Sequence, residues 1–392
     1  MSYEVLARRL RPVRFCDLAG QEPIWKTLIN AIKSDRVAHA FLFTGPRGTG
    51  KTSCARILTK ALNCSSPVES EPCNQCENCD EINRGVAVDV VEIDAASNRG
   101  IEHIRGLRDG IKFSPAKCRF RSYIIDEVHM LTTESFNALL KTLEEPPNHI
   151  KFILATTDQH KVPSTIVSRC QRYDFVNIPV PIMTEYLENI CVQEKIEISE
   201  SALQVVAIGS GGGMRDALTT IDMLVSFCGN KIDDKAVSEI LGLNDEREVD
   251  LMFQYIVEKK FDDLLNIFHG LVNRGRSLSQ IVTDLLRVVT NISLLQTLQA
   301  KETTWLEILP SRKELYLGLA GKTTTGRLQQ YFQILIELET QLKRSSQAQI
   351  CVEMSLIKMY HVESLVGVGE VISLLREASG EKKKPSLKLL KK

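Results

Sequence analysis

The sequence predicts an α/β domain built on a parallel sheet wrapped by helices, followed by segments that are almost wholly helical. Short β-rich runs alternate with helical periodicity through residues 1–178, the pattern of strand–helix–strand units. A glycine-rich stretch joins the first such run to the first strong helical pattern. Beyond Pro179 and Pro181 the strand signals fade. At 392 residues the chain exceeds what one hydrophobic core supports, so two or three domains are expected.

The expected strands are HAFLFTG (39–45), VDVVEIDA (88–95), RSYIIDEV (121–128), KFILATT (151–157) and RYDFVNI (172–178). Between the first two, Cys54, Ile57, Leu58, Ala61 and Leu62 recur at helical spacing. From Thr184 to Glu377 the pattern is helical, broken at GSGGG (209–213), Gly242, NRGRS (273–277) and SGE (379–381). There are no internal repeats, and the Lys-rich tail is the one low-complexity piece.

Hydrophobic content of 43% with 25% charged residues fits a globular chain and excludes a disordered one. The start, MSYEVLARRLRP, lacks the apolar run of a signal peptide. No stretch approaches ~18 uninterrupted apolar residues, so no membrane span is expected. Of 11 cysteines, four cluster and the other seven are scattered, an odd number that suits a reducing compartment; a cytoplasmic location is expected. Charge is uneven. Residues 1–178 hold 24 basic against 21 acidic residues, residues 179–380 hold 19 against 27, and the last twelve hold six against one. A polyanion would meet the first segment or the tail before the acidic middle.

GPRGTGKT, from Gly45 to Thr52, follows a strand and opens a helix, as a phosphate-binding loop must. Gly45, Pro46, Arg47, Gly48, Thr49, Gly50, Lys51, Thr52 and the following Ser53 form the expected ATP-binding stretch. Its glycines let backbone N–H groups curl around phosphates, and the helix N-terminus adds a favourable dipole. Lys51 should reach the β- and γ-phosphates, and the Thr52 hydroxyl should hold Mg²⁺. Some seventy residues on, YIIDEVH delivers Asp126 and Glu127 to the carboxyl end of a strand, where open α/β sheets bind ligands. Asp126 would support the Mg²⁺, and Glu127 would polarise the attacking water as general base.

Cys64, Cys73, Cys76 and Cys79 have the spacing C-x8-C-x2-C-x2-C within residues 63–81. Four thiolates suit a closed, structural Zn²⁺ site; an iron–sulfur cluster is the chemical rival. The fourth Cys lies upstream and no Cys-Pro follows, which favours zinc. Four thiolates leave no open position for catalysis. Glu69, Glu71, Glu77, Asp80 and Glu81 against Arg84 make the module a poor phosphate surface. It is expected to brace an insertion too small for its own core, as a surface for subunit contact, leaving the phosphate loop able to bind nucleotide without it.

YEVLARRLRP, the phosphate loop, EIDAAS, IIDEVHML, FNALLKTLEEPP, FILATTD, SRCQRYDF and GGMRDAL together resemble the gamma/tau ATPase subunits of bacterial DNA polymerase III clamp loaders, in the AAA+ family. The resemblance is specific over about the first 240 residues. It implies a five-stranded AAA+ domain (1–178) with the zinc module (63–81), a helical lid (179–242) and a helical collar (243–378), with 379–392 as a basic tail. Clamp-loading activity is implied, in a hetero-pentameric ring with delta and delta-prime type subunits and further copies of the chain, acting on a sliding clamp and on primer-template DNA irrespective of sequence. Thr157 matches the residue that senses the γ-phosphate. Arg169 matches the arginine finger offered to a neighbour's ATP, and Arg215 the lid arginine that contacts nucleotide in cis. Arg99 and Arg105 match a helix start facing the ring interior, which makes them candidates for DNA contact. Two other readings are a scaffold that binds ATP without turnover and another AAA+ DNA motor, such as a branch-migration ATPase. The intact Lys51, Thr52, Asp126 and Glu127 weigh against the first, and the cysteine insertion and SRC against the second.

Overall fold

In the computed structural model the described residues are 5–98, 106–107, 110–240, 243–298, 308 and 310–362. The chain divides into two compact units, residues 1–241 and 242–392. The first is built on strands β1 (Ala40–Thr44), β2 (Val90–Asp94), β3 (Arg121–Asp126), β4 (Ile150–Thr156) and β5 (Gln171–Asp174). All pair in parallel, in the order β2-β3-β4-β1-β5. Each overlaps one of the five runs expected to be strands, with β4 and β5 beginning one residue earlier than expected.

The alternation along these strands sorts side chains to two faces. Phe41, Phe43, Ile124, Ile153 and Ala155 pack against Ile24 and Leu28 of α2 (Glu22–Lys33) and Ile57 and Leu58 of α3 (Lys51–Asn63). Ala40, Leu42, Tyr123, Ile125, Phe152 and Leu154 point the other way, onto Phe136, Leu139 and Leu143 of α5 (Thr133–Glu144). A sheet covered on both faces has no solvent side, so β1 and β4 are buried throughout. Even Lys151 in β4 is 7% exposed, its ammonium donating to the carbonyls of Val37 (3.0 Å) and Ala38 (3.1 Å).

Three further helices of this unit are α1 (Leu6–Arg9), α4 (Glu77–Arg84) and α6 (Ser164–Val167). After the sheet come α7 (Val180–Glu194), α8 (Glu200–Gly209), α9 (Met214–Cys228) and α10 (Asp234–Ile240), gathered round Met183, Leu187, Val206, Ile221 and Leu224. Leu6 of α1 joins that core, and its N–H donates to the Asp222 carboxylate at 2.6 Å. α1 is therefore anchored on this helical cluster. One pairing departs from the all-helical expectation: Glu197–Ile198 lies parallel to Lys231–Ile232. Two-residue strands are too short to produce a period.

The second unit holds α11 (Leu243–Glu258), α12 (Phe261–Asn273), α13 (Leu278–Thr297), α14 (Pro310–Lys322), α15 (Thr325–Leu342) and α16 (Ala348–His361). The break at NRGRS falls between α12 and α13 as expected; Gly242 and SGE lie outside the described residues. By length and composition alone α13 could cross a membrane, although Asp284 and Arg287 interrupt its apolar run. Its Ile281, Leu285, Val288 and Ile292 are fully buried in this helical core. Asp250, 2% exposed, accepts both prongs of the Arg312 guanidinium (2.6 and 2.5 Å) and the Tyr316 hydroxyl at 2.7 Å. Arg312 also reaches Glu246 at 2.7 Å. Removing one member of a buried pair leaves the other charge without compensation, which typically costs ~3–5 kcal/mol. Asp250→Ala should therefore lower the stability of the helical unit by about that amount, read as a shifted denaturant midpoint; a shift under ~1 kcal/mol would mean that solvent already screens the pair.

Candidate active site

Parallel strands end together, and their carboxyl ends make the site. β1 delivers Thr44 to the phosphate loop, β3 delivers Asp126 and Glu127, and β4 delivers Thr156 and Thr157. The loop needs glycine at its first position. Gly45 has φ of +140°, and a Cβ there would lie 2.2 Å from the Phe175 carbonyl oxygen. Lys51, the first residue of α3, is 5% exposed and its ammonium donates to the carbonyls of Gly45 (2.8 Å) and Pro46 (2.6 Å). Burial lowers its pKa, while Glu127 and Asp126 raise it. The Thr52 hydroxyl donates to Asp126 Oδ2 at 2.7 Å, so the two expected Mg²⁺ supports are already in contact.

Glu127 sits in left-handed backbone, φ +47°, a conformation that costs a non-glycine residue stability and concentrates at functional sites. Its own N–H donates to Asp126 Oδ1 at 2.9 Å. Its Oε2 accepts from the Thr157 hydroxyl (2.9 Å) and the Thr157 N–H (3.1 Å). His129 Nδ1 lies 3.3 Å from the same oxygen and 3.0 Å from the Thr156 hydroxyl. Thr157, expected beside a γ-phosphate, is thus in direct contact with the proposed base, and His129 joins them. Nothing in the spacing of YIIDEVH marks His129 for this.

A cavity of about 380 Å³ runs from the phosphate loop to the lid, lined by Arg47 through Ser53, Asp126, Glu127, Tyr186, Met214, Arg215 and Leu218. The approach to the lid explains GSGGG. Gly212 has φ of +86° and a Cβ there would lie 2.5 Å from the Asn177 side chain; the Ile178 N–H donates to its carbonyl at 3.1 Å. Close packing requires Gly212, and a Cβ on Gly213 would likewise lie 3.1 Å from the Arg47 carbonyl oxygen, whereas one on Gly211 would meet open space. Arg11 also lines the cavity. Burial and the charges of Arg56 and Arg215 pull its pKa down, though sequence reasoning gave it no role. Arg169 is elsewhere: its guanidinium donates to Glu144 at 2.6 Å and to the Thr165 carbonyl at 2.7 Å, and it is not among the lining residues. Arg99 and Arg105 lie outside the described residues.

The four sulfurs of Cys64, Cys73, Cys76 and Cys79 all fall within 4.8 Å of one another, with Cys64 and Cys76 3.9 Å apart. Four ligands at ~2.3 Å from a tetrahedral centre would stand about 3.8 Å apart, so the set fits Zn²⁺. N–H groups of Gln75 (3.5 Å) and Cys76 (3.3 Å) point at Cys73 Sγ and, against burial, pull that thiol down to about 6. Donors aimed at sulfur favour the thiolate that a metal needs.

Three family models match the chain: DNA polymerase III, delta subunit, over residues 20–179; DNA polymerase III clamp loader subunit, ATPase lid domain, over 183–230; and DNA polymerase III subunits gamma and tau domain III, over 232–375. DNA polymerase III subunit tau of Bacillus subtilis is 38% identical over 381 residues, covering 96% of this chain and 67% of that protein. The tau subunit of Escherichia coli K12 is 38% identical over 91% of this chain and 55% of its own length. The gamma subunit of Buchnera aphidicola from Acyrthosiphon pisum is 38% identical over 92% of this chain and 99% of its own. The chain thus spans about half to two thirds of these tau subunits and nearly all of this gamma subunit. With a phosphate loop, an acidic strand end and a lid around one cavity, and relatives matched along almost its whole length, the chain belongs to the gamma/tau subunit family of DNA polymerase III, AAA+ ATPases of the clamp loader.

Proposed function

We propose that the chain is a working ATPase subunit of a clamp loader, which uses ATP binding and hydrolysis to place a sliding clamp on primer-template DNA. The observation that carries this is the meeting of Lys51, Thr52, Asp126 and Glu127 in a single cavity closed on its far side by Arg215. A scaffold that never turned over ATP would have no need of a strained Glu127 held at the phosphate end. The division into core (1–178), lid (179–242), collar (243–378) and tail (379–392) is part of the proposal, as is assembly with delta and delta-prime type subunits and further copies into a five-membered ring.

In this reading the Lys51 ammonium exchanges the Gly45 and Pro46 carbonyls for β- and γ-phosphate oxygens. Thr52 and Asp126 would hold Mg²⁺, which supplies positive charge against the charge developing during transfer. Glu127 orients the water that attacks the γ-phosphorus and takes its proton, as the bond to the bridging oxygen of ADP breaks. Thr157 and His129 fix the Glu127 carboxylate, and Arg215 meets the nucleotide from the lid. The exposed side of Arg169, held by Glu144, is offered to ATP on a neighbouring subunit. The four cysteines hold one Zn²⁺.

The sites separate by experiment. Lys51→Ala should abolish ATP binding in the chain that carries it. Arg169→Ala should leave that chain's own binding nearly intact but slow turnover at the neighbouring site by ~10³–10⁵, measured in rings mixing the two variants. If Arg169→Ala instead prevents its own chain from binding nucleotide, the arginine acts in cis and the inter-subunit reading is wrong. Metal analysis should find about one Zn²⁺ per chain, as closed thiolate sites bind with ~10–16 kcal/mol in model peptides; iron with sulfide, or no metal, excludes it. Reversing the charge of Arg99 and Arg105 together should weaken DNA-stimulated hydrolysis and reduce its salt dependence. Unchanged stimulation would move the DNA surface elsewhere, with deletion of 381–392 as the next variant to test.

A further inference from the structure

The cysteine module touches more than its own insertion. Lys60 lies on α3, the helix that starts at Lys51, and is 1% exposed. An ammonium has three donors, and a buried one must satisfy them all. Lys60 does so with the Val13 carbonyl (2.9 Å), Asn74 Oδ1 (2.6 Å) and Asn83 Oδ1 (2.8 Å). One acceptor belongs to the N-terminal strap, one to the cysteine loop and one to α4. Glu71, also in the cysteine loop, accepts from the N–H groups of Phe15 (2.9 Å) and Cys16 (3.1 Å). Val13, Phe15 and Cys16 are thus all held by Glu71 or Lys60.

The other side of that strap faces the nucleotide cavity. Pro12, Leu18 and Ala19 line it, opposite Tyr186 and Leu218 of the lid. Leu18 Cδ2 lies 3.2 Å from where a Cβ on Gly50 would stand, so the strap packs directly on the phosphate loop. Beyond Lys51, Thr52 and Asp126 the cavity offers Leu10, Pro12, Leu18, Ile178 and Leu218, apolar walls that suit a nucleobase, with Arg11 and Asp17 as polar groups among them. Asn74 sits between Cys73 and Cys76 in left-handed backbone, φ +58°, so its position follows the turn that brings the sulfurs together.

We propose that the cysteine module positions the base-side wall of the nucleotide cavity, acting through Lys60 and Glu71. The proposal rests on the nucleotide-binding reading above and replaces the expectation that the module is a local brace. Opening the cluster would release Asn74 and Glu71, and with them the strap, while the phosphate end keeps its own anchors at Gly45, Lys51 and Thr52. Selectivity between the two ends of the ligand is the signature.

The test compares ATP with inorganic triphosphate, each displacing a fluorescent ADP analogue from the full-length chain. Glu71→Gln should weaken ATP binding about tenfold, the order of one charge-assisted hydrogen bond, and leave triphosphate within about twofold of the wild type. Lys60→Met should do the same if thermal melting shows it folded; Glu71→Gln, at a half-exposed site, carries the test if it is not. Stripping the metal from the wild type, with its loss verified by analysis, should give the same ATP-specific weakening. Unchanged ATP affinity in folded Glu71→Gln, or in metal-free chain, overturns the proposal, as does an equal loss for ATP and triphosphate. A wild-type chain that binds neither ligand would instead sink the nucleotide reading itself.

Discussion

One register governs the site. Leu42 of β1 pairs with Leu154 of β4, which pairs with Ile125 of β3, so three strands reach their carboxyl ends at the same level. Side chains alternate faces along a strand, and a one-residue slip would turn each to the opposite face. Slipping β3 would send Asp126 into a hydrophobic layer and pull Ile125 into the crevice. The aromatic and aliphatic side chains filling both faces forbid that slip. Their packing is therefore what keeps Thr52 and Asp126 within 2.7 Å.

Much of this was legible because it is local. Short β-rich runs marked all five strands to within a few residues, and the thiolates announced themselves by spacing. What could not be read are contacts between residues with no fixed separation. Glu71 meets Phe15 across 56 positions and Lys60 meets Val13 across 47, so no periodicity links them. Lys60 occupies a place in α3 that, on pattern alone, belongs to solvent. His129 follows Glu127 by two, a spacing common to countless turns, and becomes informative only when β4 brings Thr156 beside it. Gly212 is a further case, since a sequence displays a glycine's freedom and hides the Asn177 side chain that presses on it.

Buried cations recur in both units, and each is satisfied differently. Lys60 and Lys151 rely on neutral carbonyl and amide oxygens, whereas Arg312 relies on the carboxylates of Asp250 and Glu246. An ammonium among neutral acceptors ties together the segments that supply them, because each lost acceptor leaves a charge partly bare. A guanidinium between carboxylates fixes direction as well, since its prongs are planar and paired. The first arrangement ties loops to a helix. The second sets the angle at which two helices meet.

The order β2-β3-β4-β1-β5 has a consequence for how the chain is made. β1 is the first strand to leave the ribosome, yet both its neighbours come late: Ala40 pairs with Phe152, and Thr44 with Asp174. Until some 156 residues have emerged the strand bearing the phosphate loop has no partner, and its second edge stays bare until about residue 174. Such non-local pairing folds slowly and leaves apolar edges exposed to aggregation meanwhile. The nascent AFLFT segment therefore spends the longest of any strand in an aggregation-prone state, and the nucleotide site is among the last features of its unit to form.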